Sequence, residues 1–419
     1  MMRTSWLEPA LIAACCLLAI VLMMALLPGQ PLVDEHFHLA QIQRLINGEF
    51  VMVPELPMPP GYHLSVAAPA ALLGIDNLTG LRVISAVLGL STLMLAWWYL
   101  CIHAAPMPLL RTMQLLLCPL LWPFYFLLYT DLWSLAVVLA GLLAFSAGRL
   151  GVAAIIAVIA LAFRQTNVFW ALLLWLMALH QTGYWQHLTE VLRNRPQDWV
   201  GQLFMATRDA LSRTWLLLIP LVVFLVFVVV NQGVAIGDRV SHQVGGLFPS
   251  QIFFMLLVVW LVLLPVHVCR LKAIAGLCRD KPWIILILLA VFAIYMFSFQ
   301  ITHHYNFGLP EFHVRNRVLG WLDNNMAWRA LAFIGMAWTL LSIMTIRLAR
   351  PAGYWLYPVT ILALLPIELI EQRYYIVPFA IWMLLREPEQ PLAEWLTLAW
   401  FAIVSTLLTA AIISLRYFL

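Results

Sequence analysis

The stretch Pro31-Leu-Val-Asp34-Glu35-His36-Phe-His38-Leu-Ala-Gln41 puts two adjacent carboxylates and two histidines directly after an apolar run from about Pro9 to Leu27. Carboxylates beside a bilayer are costly to keep there and mark a working site, where one can take a proton from a reacting group. Plainer readings exist for both. Asp34 is well placed to be the N-cap of a following helix, and Glu35 to be a first-turn acid favoured by the helix dipole. His36 and His38, at i and i+2, do not face each other on a helix and make a poor metal clamp. Asp34 and His38, at i and i+4, share a face and suit a hydrogen bond, so no metal site is expected. Further polar groups break the apolar chain later on: Asp131, Arg164-Gln165-Thr-Asn167, Asp238-Arg239 with His242, His304, and Glu371-Gln372-Arg373. Asp131 follows a span end, where it positions hydroxyls or caps the next helix. Arg164, Gln165 and Asn167 read as a fixed hydrogen-bond network, structural or ligand-binding. Asp238 and Arg239 suit an internal ion pair.

The elements that carry these residues must be membrane helices. The chain has 419 residues, of which 64% are hydrophobic and only 10% charged, with a mean hydropathy of +0.94. No soluble interior hides that much apolar surface. The net charge of +4 comes from scattered basic residues and gives no reason to expect nucleic acid. The 19 Trp and 12 Tyr suit aromatic belts at the headgroups. Six cysteines lie in or at the ends of apolar runs without metal-ligand spacing, so no disulfide framework is expected. The first apolar run is too long for a removed signal peptide and reads as a retained span.

Apolar runs predict about thirteen spans, at about 9–27, 81–103, 111–129, 132–148, 151–163, 167–181, 214–232, 251–269, 283–300, 328–346, 353–369, 374–386 and 392–415. They make one all-α integral-membrane domain, residues 1–419. A long first external loop (28–80) carries short interfacial helices, and a polar loop (182–213) faces the cytoplasm. With the N-terminus in the cytoplasm, most Lys and Arg fall on that side. Asp34, Glu35, Asp131, Arg164, Asp238, His242, His304, Arg317, Glu371 and Arg373 then gather on the external face. Their convergence from distant segments predicts a single site.

Five blocks carry a family resemblance. Asp34-Glu-His-Phe-His38 with Gln41, Gln43-Arg44 and Pro59-Pro60-Gly61-Tyr62 resembles the first lumenal loop of the alpha-1,2-glucosyltransferases of the dolichol pathway. Tyr129-Thr130-Asp131, Phe163-Arg164-Gln165-Thr166-Asn167 with Trp170, and Gln372-Arg373-Tyr374-Tyr375-Ile376-x-Pro378 agree in order and placement. So does Val228-Val229-Val230-Asn231-x-Gly233-x-x-Ile236-Gly237-Asp238-Arg239-x-Ser241-His242 with Phe248-Pro249. The pattern departs at His303-His304-Tyr305-Asn306 and Glu311-Phe312-His313-x-Arg315-x-Arg317, where the eukaryotic family has a longer histidine- and tyrosine-rich stretch. With its short cytoplasmic loops, that points to a trimmed, bacterial relative with a different acceptor.

The resemblance implies the C-type glycosyltransferase fold, a polyprenyl-phosphate glucose donor, a lipid-linked glycan acceptor, membrane lipid around the bundle, inversion at the sugar carbon and no cofactor. It implies Asp34 as general base, with Glu35 as the alternate. His38, Asp131, Arg164, Gln165, Asn167, Asp238, Arg239 and His242 would bind substrate. Arg373 and His304 would meet the donor phosphate, with Arg373 as an interface anchor the plainer alternative. Two readings stay open beside it: a C-type transferase moving another sugar onto a bacterial glycolipid, lipopolysaccharide or protein, and a flippase or transporter of lipid-linked sugar.

Overall fold

The computed structural model describes residues 6–239, 241, 245–308 and 312–418. Among them the chain is helical, with no strand ladder. Two isolated β-bridges join His313 to Phe418 and Leu348 to Arg386.

The first apolar run forms α1 (Leu7–Leu26), whose 20 residues rise about 30 Å, the thickness of a hydrocarbon core. The loop after α1 continues as α2 (Glu35–Ile46), ended by Gly48 at φ +80°, a conformation that needs glycine. Pro59-Pro60 lead into α3 (Gly61–Leu73), as expected for a segment too short to span. Then come α4 (Leu78–Gly89), α5 (Ser91–Ile102), α6 (Pro108–Leu116), α7 (Asp131–Ser146), α8 (Leu150–Phe163) and α9 (Val168–Gln181). The loop expected at 182–213 is two amphipathic helices, α10 (Tyr184–Asn194) and α11 (Trp199–Thr214). The second runs through a 3-10 turn into α12 (Ile219–Asn231). The rest are α13 (Pro249–Val262), α14 (Leu264–Cys269), α15 (Leu271–Asp280), α16 (Trp283–Ser298), α17 (His304–Gly308), α18 (Val314–Asn324), α19 (Met326–Thr345), α20 (Leu356–Leu364), α21 (Ile376–Leu385) and α22 (Pro391–Ile413).

Five stretches are long and apolar enough to cross a membrane: Leu7–Leu26, Leu78–Ile102, Trp199–Asn231, Met326–Thr345 and Pro391–Ile413. Helices α15 and α16, bent by 105°, make a sixth if taken together. The remaining apolar runs fold as shorter helices, among them α7, α8 and α13. The largest core cluster gathers α1, α5, α7, α9 and α21, and every residue of α21 is buried. Two glycines let backbone touch backbone at the site. A side chain on Gly61 would collide with the Ala162 carbonyl, and one on Gly237 with those of Pro54 and Leu56.

Candidate active site

Two stretches of the same local design carry key side chains of the site. Arg164 is extended (φ −150°, ψ 124°) and is followed by a 3-10 turn at Gln165–Asn167 that starts α9. Glu371 is likewise extended (φ −149°, ψ 127°) before a 3-10 turn at Gln372–Tyr375 that starts α21. An extended residue ahead of a helix throws its side chain off the helix end. The second turn is tied down by two residues, Gln251 and Asn306. The Gln251 side chain donates to the Leu369 carbonyl, Tyr375 donates to Gln251 Oε1 at 2.9 Å, and Asn306 exchanges bonds with the Ile370 backbone at 2.9 and 3.1 Å.

These turns meet α2 around a cavity of about 490 Å³. Asp34, His38, Arg164, Gln165, Asn167, Asp238 and Arg373 line it, with Tyr129, Tyr305, Arg315 and Glu371. Asp34 is the residue before α2, yet its side chain makes no cap bond. Its carboxylate is 34% exposed and meets Arg373 at 2.8 Å. Val33 before it sits at φ +51°, a strained position for a β-branched residue that turns Asp34 toward the cavity. The Tyr129 hydroxyl accepts the Asp34 backbone N–H at 3.2 Å, and its ring lies 5.0 Å under the Arg373 guanidinium.

Glu35 is placed differently. It is fully buried and off the cavity wall. Oε1 accepts from Arg82 Nε at 3.0 Å and Leu128 N–H at 2.8 Å; Oε2 accepts from Arg82 at 2.6 Å and Leu32 N–H at 2.8 Å. With both oxygens doubly filled, it braces the loop against α4 and is not positioned to serve as the alternate base.

Asp131 is buried and bridges Arg164 at 2.5 Å, while its second oxygen finds no partner among the described residues. It acts on the cavity through Arg164. Gln165 donates to the Pro57 carbonyl at 2.9 Å, which also accepts the Ile236 N–H at 3.0 Å, so the Pro54–Pro57 turn joins three segments of the wall. Asn167 is held by Ser134 at 2.9 Å and donates to Ala160 at 2.8 Å. Asp238 reaches the wall and accepts the Ser241 N–H at 3.0 Å. Arg239 turns back to the Asn231 carbonyl at 2.8 Å and lies off the wall. His304 is exposed, stacked on His303, and also off the wall, so neither Arg239 nor His304 faces a bound ligand here. His242 lies outside the described residues.

Sequence reasoning gave no role in the chemistry to Glu371, Tyr129 or Arg315, all of which line the wall. Glu371 Oε1 accepts from Arg373 at 2.5 Å and Arg315 at 2.7 Å. Burial alone would raise the Glu371 carboxyl, but these two guanidiniums hold it at about 2. Tyr129 was seen only as part of a motif. Acid and arginine at 371 and 373 were a legible signal; Arg315 was hidden in the departing stretch. His38 is buried, its Nδ1 2.9 Å from His63 Nε2. Burial, then the charges of Arg373 and Arg164, push it down to about 3, so it is neutral near pH 7. Among the described residues no three His, Cys, Asp or Glu side chains form a group that could hold a metal ion.

An open carboxylate beside a partly buried arginine, on the wall of this cavity, can take a proton next to a bound anion. The relatives fit that arrangement. The Dol-P-Glc:Glc(2)Man(9)GlcNAc(2)-PP-Dol alpha-1,2-glucosyltransferase from Homo sapiens is 25% identical over 407 residues, covering 85% of this chain and 84% of its own. The protein of the same name from Kluyveromyces lactis is 23% identical over 426 residues, covering 90% and 77%. The one from Debaryomyces hansenii is 25% identical over 277 residues, and there this chain spans 57% of the relative's length. No solved structure matches. The profile of the DIE2/ALG10 family covers residues 29–384, which takes in Asp34, Arg164, Asp238 and Arg373 together, and the chain belongs to that family.

Proposed function

We propose that this protein transfers a glucosyl residue, with inversion, from a dolichyl-type polyprenyl phosphate to a hydroxyl of a lipid-linked glycan. The observation that carries this reading is the meeting of Asp34 and Arg373 on one cavity wall, in a chain whose named relatives are glucosyltransferases. The acceptor oxygen attacks the anomeric carbon as its proton passes to Asp34. The bond from that carbon to the phosphate oxygen breaks, and the electron pair leaves on the phosphate. The leaving group is already a stable anion and needs a cation rather than a strong acid. Arg373 serves as that cation. At rest it holds Asp34 in an ion pair at 2.8 Å. A phosphate taking over Arg373 releases Asp34 to act, so donor binding prepares the base.

The wider arrangement we propose is the C-type architecture with about thirteen crossings, the shorter helices leaning on their neighbours. The cavity faces the outside of a bacterial cytoplasmic membrane, or the lumen if the source is eukaryotic. Donor and acceptor are then lipid-borne and meet at that face.

The test uses purified protein in vesicles with radiolabelled dolichyl-phosphate glucose. Acceptor-dependent release of dolichyl phosphate is the expected result. Movement of the intact donor between leaflets, without cleavage, would instead identify a flippase. Single cysteines at Gly48 and Gly245, in a cysteine-free background, should both react with an impermeant maleimide on intact cells. Labelling at only one would break the shared external face.

A further inference from the structure

The residues after α22 return to the cavity. Phe418 donates its N–H to the Phe312 carbonyl at 2.9 Å, and its carbonyl accepts the Val314 N–H at 2.9 Å, so its backbone brackets His313. Its ring stacks on Phe312 (centroids 6.2 Å apart, planes 8°) and on Tyr129 (6.2 Å, 24°), and it forms part of the cavity wall. One residue earlier, the Tyr417 hydroxyl accepts from Arg317 at 3.3 Å, and that guanidinium lies 4.6 Å over the Tyr417 ring. Tyr417 and Phe418 lie beyond residue 384, outside the family profile, while their partners lie within it.

The bracketed peptide ends one residue before Arg315. Arg315 is buried on the cavity wall, and its Nε has no hydrogen-bond partner among the described residues. Its other end shares Glu371 Oε1 with Arg373. Two guanidiniums share one carboxylate oxygen, and the charge this leaves over is balanced by Asp34 at Arg373, so an anion that displaces Asp34 meets both cations. A phosphodiester has two non-bridging oxygens, which two guanidiniums can hold side by side. As the sugar leaves, that phosphate gains a second negative charge. A second cation therefore matters more in the transition state than in the bound donor.

We propose that Arg315 is a second phosphate-binding cation beside Arg373, and that Phe418 is the positioning residue that seats it; this rests on the donor reading above. The backbone bridge fixes the peptide that leads into α18. The Phe418 ring fixes the bridge against Phe312 and against Tyr129, the ring beneath Arg373. The peptide that carries Arg315 is thus held in place by the bridge and by the packing of the ring that closes it.

A double-mutant cycle tests this. Binding of radiolabelled dolichyl phosphate is measured for wild type, Arg315→Ala, Phe418→Ala and the double variant, with unfolding midpoints in detergent for each. Arg315→Ala should weaken binding about tenfold and Phe418→Ala several-fold. The double variant should bind no worse than Arg315→Ala, because the tail acts through Arg315. Phe418→Tyr keeps the ring and should bind as wild type. Where Phe418→Ala does not accumulate, Phe418→Leu, which keeps apolar bulk without the ring faces, takes its place. Wild-type binding by Arg315→Ala, or losses that multiply in the double variant, overturns the proposal. Turnover of dolichyl-phosphate glucose by the wild type is run in parallel. If binding behaves as expected but no glucose is transferred, the phosphate site stands and the transferase reading falls.

Discussion

Helix α21 has an arginine beyond each end, and the two live in different surroundings. Arg386 and Glu394 are both fully buried. Glu394 accepts twice from Arg386 at 2.7 Å, from Gln114 at 2.8 Å and from the Glu389 N–H at 2.6 Å, which fills both oxygens. Arg111 ties the same corner by donating to the Met383 and Arg386 carbonyls at 2.6 and 2.9 Å. Arg373, at the other end, faces a cavity, shares Glu371 with a second arginine, and holds an Asp34 that solvent can reach. The same pairing of arginine and carboxylate is closed off at one end and open to a cavity at the other. What separates them is valence left open toward empty space. Asp34 and Glu35 repeat the lesson within one dipeptide, because Glu35 is saturated and Asp34 is not.

Substitutions should therefore split into those that stop the reaction and those that loosen the fold. Asp34→Asn is expected to cut turnover at saturating donor by about a hundredfold or more while the unfolding midpoint stays put. Glu35→Gln should do the reverse. It leaves Arg82 buried and unbalanced, costing about 3–5 kcal/mol of stability, with near-normal activity in the fraction that folds. A stable, inactive Glu35→Gln protein would erase the contrast between the two acids.

The two arginines should divide in the same way. Arg373→Ala is expected to lose about a hundredfold in kcat/KM for donor, and Arg373→Lys about tenfold, since lysine offers a point charge in place of a two-pronged fork. Glu371 keeps Arg315 as a partner, so protein yield should hold. Arg386→Ala should cost about 3–5 kcal/mol and show as lost yield. Should Arg373→Ala instead lose yield and keep specific activity, Arg373 is an anchor like Arg386.

A smaller effect concerns pH. His38 is held at about 3 when folded and titrates near 6.5 when unfolded. Its depressed value means the unfolded chain takes up the proton first as pH falls. The stability it contributes is complete above about 6.5 and is lost progressively from there down toward 3, at no more than about 1.4 kcal/mol per pH unit. Denaturant unfolding between pH 7.5 and 5.5 measures this slope, and His38→Gln should flatten it. An unchanged slope would mean that His38 charges freely in the folded protein. Smallest of all is the effect of chelation. Excess EDTA should leave turnover untouched, and activity lost and then restored by magnesium or manganese would bring Asp34, His38 and Asp131 back as ligands.

The sequence made the site's membership legible further than its geometry. Asp34, Arg164, Asp238 and Arg373 stood out because polar residues are conspicuous between apolar runs, and the cavity gathers them. Glu35 looked equal to Asp34, because only Arg82, two amide N–H groups and burial distinguish them, and none of these shows in local sequence. Arg315 and Phe418 went unnoticed because their importance lies in a bridge between chain segments that no periodicity announces. Span counting suffered from a related limit. An apolar run sets hydrophobicity but not helix length, and helices such as α6 and α20, nine residues each, break where proline or turn geometry intervenes.

The bond between Asp34 and Arg373 also sets a timetable for the newborn chain. Glu35 meets Arg82 across a separation of 47 residues, so that brace can close while most of the protein is still unmade. Arg373 comes from near the other end of the chain, and Phe418 from later still. Long-range contacts of this kind form last. During insertion, Asp34 waits without its counter-ion while its neighbour is already locked. A prematurely terminated chain can therefore be inserted and braced, and still be inert.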